Sequence, residues 1–353
     1  MIELRTSPHM KGALSLPQIM HHVIYALLPI CAFAIYQFGV SALALITVIT
    51  LSCVLTETMF NHLANKKNSL HDYTAVITGI LLALTLPPGF PLWMGAVAGF
   101  VAIAMGKTLF GGIGFNLFNP ALLGRAFVQA AFPVAITSWT PGGMADRFTQ
   151  FIPSSLTLPF TAPITVDGFS GATPLALHKF EATSTPVTDL FLGFSSGNPL
   201  LADGSLLADG SIGETSSLLI LLCGTYLIIQ GIMGWRIPLA IFISTTLFSG
   251  AFFLFDNSYP SPLFMLTSGG LMLGALFMAT DPVSAPVTPA GMWLFGLLIG
   301  AMTIIIRLFG GLPEGIMYAI LFANATVPLI ETITQPRKFG QISVKKETGE
   351  KND

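Results

Sequence analysis

The chain has 353 residues, of which 53% are apolar and only 9% are charged. Soluble domains carry about 25% charged residues, so this composition predicts a polytopic membrane protein. The 15 Lys and Arg are nearly balanced by 17 Asp and Glu, which excludes the basic surface of a nucleic-acid-binding protein. The 28 Phe and 35 Gly suit packed membrane helices, where small residues let backbones approach closely.

The cysteines exclude several redox centres within the chain itself. Cys31, Cys53 and Cys223 all lie in apolar runs and form no C-x-x-C pair. They therefore predict no disulfide framework, zinc site or iron–sulfur cluster. No phosphate-binding glycine motif precedes a helix, so no nucleotide domain is expected either.

The apolar runs predict an all-α fold of about ten membrane spans. A bilayer core of about 30 Å needs roughly 20 apolar residues per helix. The runs that meet this length lie near 22–39, 41–60, 73–90, 91–106, 117–137, 215–232, 237–255, 262–280, 291–309 and 314–332. We expect Pro87 and Pro88 to end the third span and Pro282 to end the eighth, because proline cannot continue a helix.

The positions of Lys and Arg predict the orientation. Placing the N-terminus inside the cell assigns eleven of them to the inner side, as the positive-inside rule favours. These are Arg5, Lys11, Lys66, Lys67, Lys107, Arg236, Arg337, Lys338, Lys345, Lys346 and Lys351. Both termini, including the tail 334–353, are then cytoplasmic, and the connection 138–213 is periplasmic. The expected location is the bacterial inner membrane.

An internal repeat relates the two halves of the chain. TGILLALTLPP at 78–88 resembles GGLMLGALFMATDP at 269–282, and TLFGGIGFNLFNPALL at 108–123 resembles the segment 307–330. Each half, about 20–137 and about 214–333, holds five predicted spans, so the halves must insert in opposite senses. Interrupted helices in such repeats usually mark the functional centre. The alternative is that the prolines merely end helices.

A short motif lies in the long connection 138–213. Gly168 and Gly171 permit a turn, and Pro174 favours extended geometry at Thr173, which would display its hydroxyl to a modifying enzyme. Asp167 stands six residues before Thr173, which makes a chance match rarer. The alternative is an ordinary loop.

The motif D-x-x-S-G-A-T, formed by Asp167, Ser170, Gly171, Ala172 and Thr173, resembles the signature by which a periplasmic flavin transferase recognises its targets. The rest of the chain resembles the NqrB/RnfD family of membrane subunits. This resemblance rests on GKTLFGGIGFNLFNPALLGRAF at 106–127, SGATPLA at 170–176 and ATDPVSAPVTPAG at 279–291. The short segment before the first predicted span favours the Rnf branch of the family.

The resemblance implies an FMN joined to Thr173 through a phosphoester, and a second, non-covalent flavin (riboflavin) within the membrane part. It also implies a fold similar to urea and ammonium channels. In Rnf complexes electrons pass between ferredoxin and NAD, coupled to movement of Na⁺ or H⁺. Iron–sulfur subunits and a second flavin subunit would be partners, and the chain would be a translocase subunit that is not active alone.

Two carboxylates lie within or at the end of predicted spans. Glu57 falls in the second span and Asp281 at the broken eighth. Ionisable groups inside a membrane are costly and are functional candidates, so both are assigned to a cation or proton path. The alternative is a helix-end carboxylate that reaches interfacial water.

Three further polar residues are candidates for binding flavin. Arg125 would balance a phosphate or a flavin anion, or else snorkel from a helix end. Asn116 and Asn119 would hydrogen-bond an isoalloxazine edge, or else cap the fifth span.

Three other functions compete with a flavin-bearing Rnf subunit. The nearest is an NqrB-type subunit of a Na⁺-translocating NADH:quinone oxidoreductase. A solute channel is a different class, which the inverted repeats also suit. A purely structural scaffold is disfavoured by the intramembrane carboxylates.

Overall fold

The computed structural model describes residues 15–66, 69–140, 142–144, 146–159, 161, 173–181, 185–193, 210–256 and 258–335. These residues are largely α-helical and include no strand. The α-helices are α1 Leu16–Phe38, α2 Val40–Leu63, α3 Thr74–Leu84, α4 Leu92–Ile103, α5 Pro120–Ala131, α6 Pro133–Thr137, α7 Pro174–Glu181, α8 Val187–Leu192, α9 Ser217–Ile229, α10 Arg236–Phe255, α11 Pro262–Thr267, α12 Leu271–Leu273, α13 Pro289–Phe309 and α14 Ile316–Thr334. The π-helical turns Ala104–Thr108 and Gly274–Met278 extend α4 and α12.

Five of these helices, α1, α2, α10, α13 and α14, are long and apolar enough to cross a membrane. Apolar side chains such as Leu55, Leu247 and Leu254 project outward from them, as lipid-facing surfaces require. The all-helical membrane class is confirmed. Helices also occupy the other predicted runs, but they are shorter or interrupted, so the count of ten spans stays a prediction.

The helices of the two halves pack in a parallel order. In the first half α2 contacts α3 and α4, and α4 contacts α5. In the second half α10 contacts α11 and α13, and α13 contacts α14. The halves meet where α1 packs on α9 and α5 packs on α14. Residues between these contacts form one continuous apolar core.

The first interruption follows α3. The helix ends at Leu84, and the chain turns before Pro87, as its missing N–H and its restriction of the preceding residue require. The carbonyls released here are taken by the backbone of a distant segment. Ile212 N donates to Leu86 O at 3.0 Å, and Gly213 N donates to Leu84 O at 2.8 Å.

The second interruption lies within the predicted span 262–280, well before Pro282. The α-helix stops at Thr267 and restarts at Leu271. Between them Gly269 has a φ of +63°, in the left-handed region that favours glycine. The position of this break was not predicted, because attention to proline hides the weaker S-G-G signal at 268–270.

Side chains satisfy the carbonyls at this second break. Arg307 donates to Met265 O at 2.6 Å and to Ser268 O at 3.0 Å. Ser217 Oγ donates to Thr267 O at 2.7 Å. An interrupted helix is tolerated at membrane depth only where such partners replace the lost helical hydrogen bonds. Arg307 therefore has a structural role as well as a charge.

Candidate functional site

Thr173 lies at the N-terminus of α7. Its Oγ1 accepts a hydrogen bond from Ala176 N at 3.2 Å, which caps the helix. The side chain is only 3% exposed, so the expectation of a displayed hydroxyl is wrong for this structure. The reason is that the capped turn packs against α8 and the second helix break, through Leu190 and Gly269. The predicted motif residues Asp167, Ser170, Gly171 and Ala172 lie outside the described residues.

A small pocket adjoins the Thr173 side chain. It brings α7 together with the segment before α9 and the second helix break. Its lining residues are Thr173, Pro174, Leu190, Gly210, Glu214, Thr215, Thr267 and Gly269. The free N–H groups of a helix N-terminus attract anions, so this end of α7 suits a phosphate group.

Buried charges surround the inner side of this pocket. Arg125 on α5 lies 3.7 Å from Glu214, measured from Nη1 to Oε1. Its Nη2 donates to Glu314 Oε2 in a close charge-assisted bond. Arg125 is 3% exposed, so its head group lies between carboxylates rather than at an exposed helix end. The sequence reasoning missed both of its partners, since each lies in a short connection.

Arg307 completes what we call the arginine cluster: Arg125, Glu214, Arg307 and Glu314. Arg307 is close enough to interact electrostatically with both carboxylates. Burial, with repulsion from Glu314, raises the pKa of Glu214 from its usual value to about 8. Near neutral pH Glu214 therefore retains its proton, and two guanidinium groups face one carboxylate. The cluster then carries an excess positive charge.

Several polar atoms of this cluster are unsatisfied. Arg125 Nε, Arg307 Nε and Glu314 Oε1 are buried and have no hydrogen-bond partner within the part of the chain that the structure describes. Orphaned buried donors are rare in native proteins and call for an explanation such as a bound group or water. An anion near this cluster would meet both a donor surplus and a charge surplus.

A second candidate site is a cavity between the two halves, here called the central cavity. It contains about 1070 Å³ of empty space, and its walls are mainly apolar side chains. Asn116, Asn119 and Asp281, all predicted site residues, line it together with Thr74 and Lys107. A large apolar pocket with a few convergent polar groups is typical of a ligand site.

Asn119 has a structural role in this wall. Its Oδ1 accepts from Ala121 N at 3.0 Å and so caps α5. Its Nδ2 donates to Met278 O at 3.1 Å, which joins the first half to the π-helical turn of the second. The capping alternative thus holds for Asn119, while Asn116 lines the cavity together with Lys107.

Asp281 stabilises the turn after the second π-helical segment. It accepts hydrogen bonds from Ser284 Oγ at 3.0 Å and from Val283 N at 3.3 Å. Because it also lines the central cavity, it combines a local structural role with access to any occupant.

Glu57 is paired rather than free. Lys107 Nζ donates to Glu57 Oε1 at 2.6 Å and to Thr74 Oγ1 at 2.7 Å, and Ser69 Oγ donates to the same carboxylate oxygen. Lys107 is 4% exposed, although the sequence placed it among cytoplasmic loop cations. That assignment was wrong because the π-helical turn carries Lys107 back into the protein.

The fold and these sites define an integral membrane protein with interrupted helices, buried charges and a ligand-sized cavity. The sequence profile of the NQR2, RnfD, RnfE family matches residues 3–340, so the chain belongs to this family. The resemblance drawn from the motifs is therefore confirmed.

Its relatives include components of ion-translocating oxidoreductase complexes, and those compared here are all the D subunits of such complexes. The chain is 41% identical to that of the Na(+)-translocating ferredoxin:NAD(+) oxidoreductase complex of Acetobacterium woodii, over 98% of each chain. It is 38% identical to that of the proton-translocating ferredoxin:NAD(+) oxidoreductase complex of Clostridium ljungdahlii, over 96% of each. It is also 38% identical to that of the ion-translocating oxidoreductase complex of Stutzerimonas stutzeri, over 93% of each.

Proposed function

We propose that the chain is the RnfD component of an ion-translocating ferredoxin:NAD(+) oxidoreductase complex, and that it relays electrons through an FMN linked covalently to Thr173. The names of its relatives support the complex. The observation that carries the flavin site is the position of Thr173 Oγ1, at a helix N-terminus beside the arginine cluster. An NqrB-type subunit is the near alternative, which neighbouring subunits would decide.

The residues around Thr173 fit a flavin phosphate. Thr173 supplies the hydroxyl for a phosphoester, α7 supplies N–H donors, and the arginine cluster supplies excess positive charge on the inner side. A bound FMN would supply the electron-carrying chemistry. The chain would attach it, orient it and set the dielectric around it. Because Thr173 is buried, a flavin transferase must meet this segment in a more open state than the one described.

The central cavity is the proposed position of a non-covalent flavin of the riboflavin type. Its volume and mainly apolar walls suit a three-ring ligand. Asn116 offers an amide at the edge of the cavity, and Asp281 offers a carboxylate. Glu57 and Asp281 are the proposed ion-path residues. The family does not decide the coupled ion, since one relative is named for Na⁺ and another for protons.

The proposed topology has ten spans in two inverted repeats in the bacterial inner membrane, with both termini cytoplasmic and 138–213 periplasmic. The parallel packing order of the two halves supports the repeat. Partners would be the other Rnf subunits, including iron–sulfur and flavin subunits, because the chain shows no cluster or nucleotide motif of its own. A periplasmic flavin transferase would be the maturation partner.

Flavin fluorescence in a denaturing gel tests the attachment. Protein made in cells that contain the flavin transferase should give a band that fluoresces under ultraviolet light, and Thr173→Val should abolish it. Thr215→Val is the matched control, because Thr215 lines the same pocket, and it should keep the fluorescence. A dark wild-type band would instead favour a solute channel, the function that the central cavity supports next.

A further inference from the structure

The ammonium group of Lys107 lies among oxygen atoms inside the protein. Its Nζ is 2.6 Å from Glu57 Oε1 and 2.7 Å from Thr74 Oγ1, and Ser69 Oγ bonds the same carboxylate. These oxygens come from α2, from α3 and from the connection between them. Both charged side chains are almost completely buried. A cation is thus held by one carboxylate and hydroxyl oxygens, a donor set that suits hard cations.

The Glu57–Lys107 pair lies between two cavities. Lys107 lines the central cavity and also a second one, here called the Lys66 cavity. The Lys66 cavity is lined by Glu57 and Ser69 as well as Lys66. An ion that passed between the two cavities by the shortest path would therefore meet this pair.

The carboxylate has an unused oxygen. Glu57 Oε2 is buried and has no hydrogen-bond partner among the described residues, although the residue is only 2% exposed. An unsatisfied buried carboxylate oxygen is costly unless something binds it. This second oxygen is an additional ligand that Lys107 leaves unoccupied.

The backbone that carries Lys107 is built to change conformation. Lys107 lies in the π-helical turn Ala104–Thr108, a geometry that is frequent at functional sites. The chain continues through Gly111, Gly112 and Gly114, with φ values of +114°, +111° and +90°. An added side-chain carbon at Gly112 or Gly114 would meet nothing within 4 Å. This segment can therefore move Lys107 without displacing neighbouring side chains.

We propose that Glu57, Ser69 and Thr74 form a binding site for a monovalent alkali cation, and that the Lys107 ammonium is its tethered, displaceable occupant. A single carboxylate balances one positive charge, so the site suits Na⁺ rather than a divalent ion. Na⁺ entering from the Lys66 cavity would release Lys107 toward the central cavity. This deepens the ion path of the proposed function and does not depend on a flavin.

Labelling of Lys107 in the wild-type protein tests the displacement. Purified full-length protein is treated with an amine-reactive reagent in NaCl or in choline chloride at equal ionic strength, and modified lysines are quantified by peptide mass spectrometry. We expect Na⁺ to raise the labelling of Lys107 by at least about threefold, since binding shifts the population toward the displaced state. Labelling of Lys66 should not change. Equal labelling of Lys107 in the two salts would overturn the proposal.

A vacated site provides the second test. In Lys107→Met the oxygens lose their tethered cation, so Na⁺ should raise the thermal unfolding midpoint by about 3 °C or more relative to choline. The double variant Glu57→Gln/Lys107→Met should show no such difference. A response that persists in the double variant would overturn the site. Neither test reads flavin content, so failure here leaves the proposal for Thr173 standing.

Discussion

The two buried charge groups of this protein differ in composition and balance. The Glu57–Lys107 pair joins one carboxylate to one ammonium, and neighbouring hydroxyls complete it. The arginine cluster joins two guanidiniums to two carboxylates, one of which keeps its proton near neutral pH. The first group is neutral and suited to exchanging a cation. The second is positive and suited to holding an anion, so two opposite tasks are separated within one membrane protein.

Removing Arg125 should have the largest effect on stability. Arg125→Ala leaves Glu314 buried without its partner, and breaking a buried ion pair costs about 3–5 kcal/mol. Thermal unfolding in detergent measures the loss. Arg147→Ala is the matched control, because Arg147 lies over aromatic rings in a part-exposed position and should cost about 1 kcal/mol or less. Equal losses in the two variants would remove the special status of the cluster.

Breaking the Glu57–Lys107 pair should cost somewhat less when both partners are changed. Lys107→Met alone leaves a buried carboxylate and should cost about 3 kcal/mol in Na⁺-free buffer. The double variant Glu57→Gln/Lys107→Met should regain about half of this loss, because no unpaired charge remains. A strictly additive result in the double-mutant cycle would contradict the coupling between the two residues.

The arginine cluster predicts a pH dependence of stability. The folded-state pKa of Glu214 is raised to about 8, from a usual value of 4.5, so the folded protein binds this proton more tightly than the unfolded chain. The stabilisation is full below about pH 4.5 and is lost as pH rises toward 8, by a few kcal/mol at most. Glu214→Gln should remove this part of the slope. Identical pH profiles for the variant and the wild type would contradict the assignment.

The second helix break predicts a smaller effect. Gly269→Ala forces a side chain into a φ of +63° and places its carbon 2.6 Å from Leu175 Cδ1, which should cost about 1–3 kcal/mol. Gly250→Ala is the control within helix α10, where the nearest atom is 3.7 Å away. It should be neutral or stabilising, because alanine favours a helix. A larger loss at Gly250 than at Gly269 would contradict the proposed strain.

The sequence predicts the helices well, because long apolar runs leave the backbone few alternatives in a membrane. It also predicts that Glu57 and Asp281 are unusual, since charge is rare in such runs. It does not predict the partner of either residue. Lys107 follows an apolar run and so counts as a loop cation, until the π-helical turn carries it inward. That extra turn depends on tertiary packing and leaves no periodic signal.

The arginine cluster lies beyond sequence reasoning for a different reason. Arg125 and Glu314 are 189 positions apart, and only the packing of α5 on α14 brings them together. Thr173 shows the same limit, because its motif is local whereas its burial depends on the second helix break. The pair of glycines at 269–270 was the available signal for that break.

Peptide mapping of the wild-type protein tests the central claim most directly. Cleavage after Arg147 and Lys179 releases the peptide 148–179, which contains Thr173 and other threonines, so fragmentation must locate any modification. For protein made alongside the flavin transferase, we predict a mass increase of one FMN less one water, confined to Thr173. An unmodified peptide, or a flavin on another residue, would contradict the account.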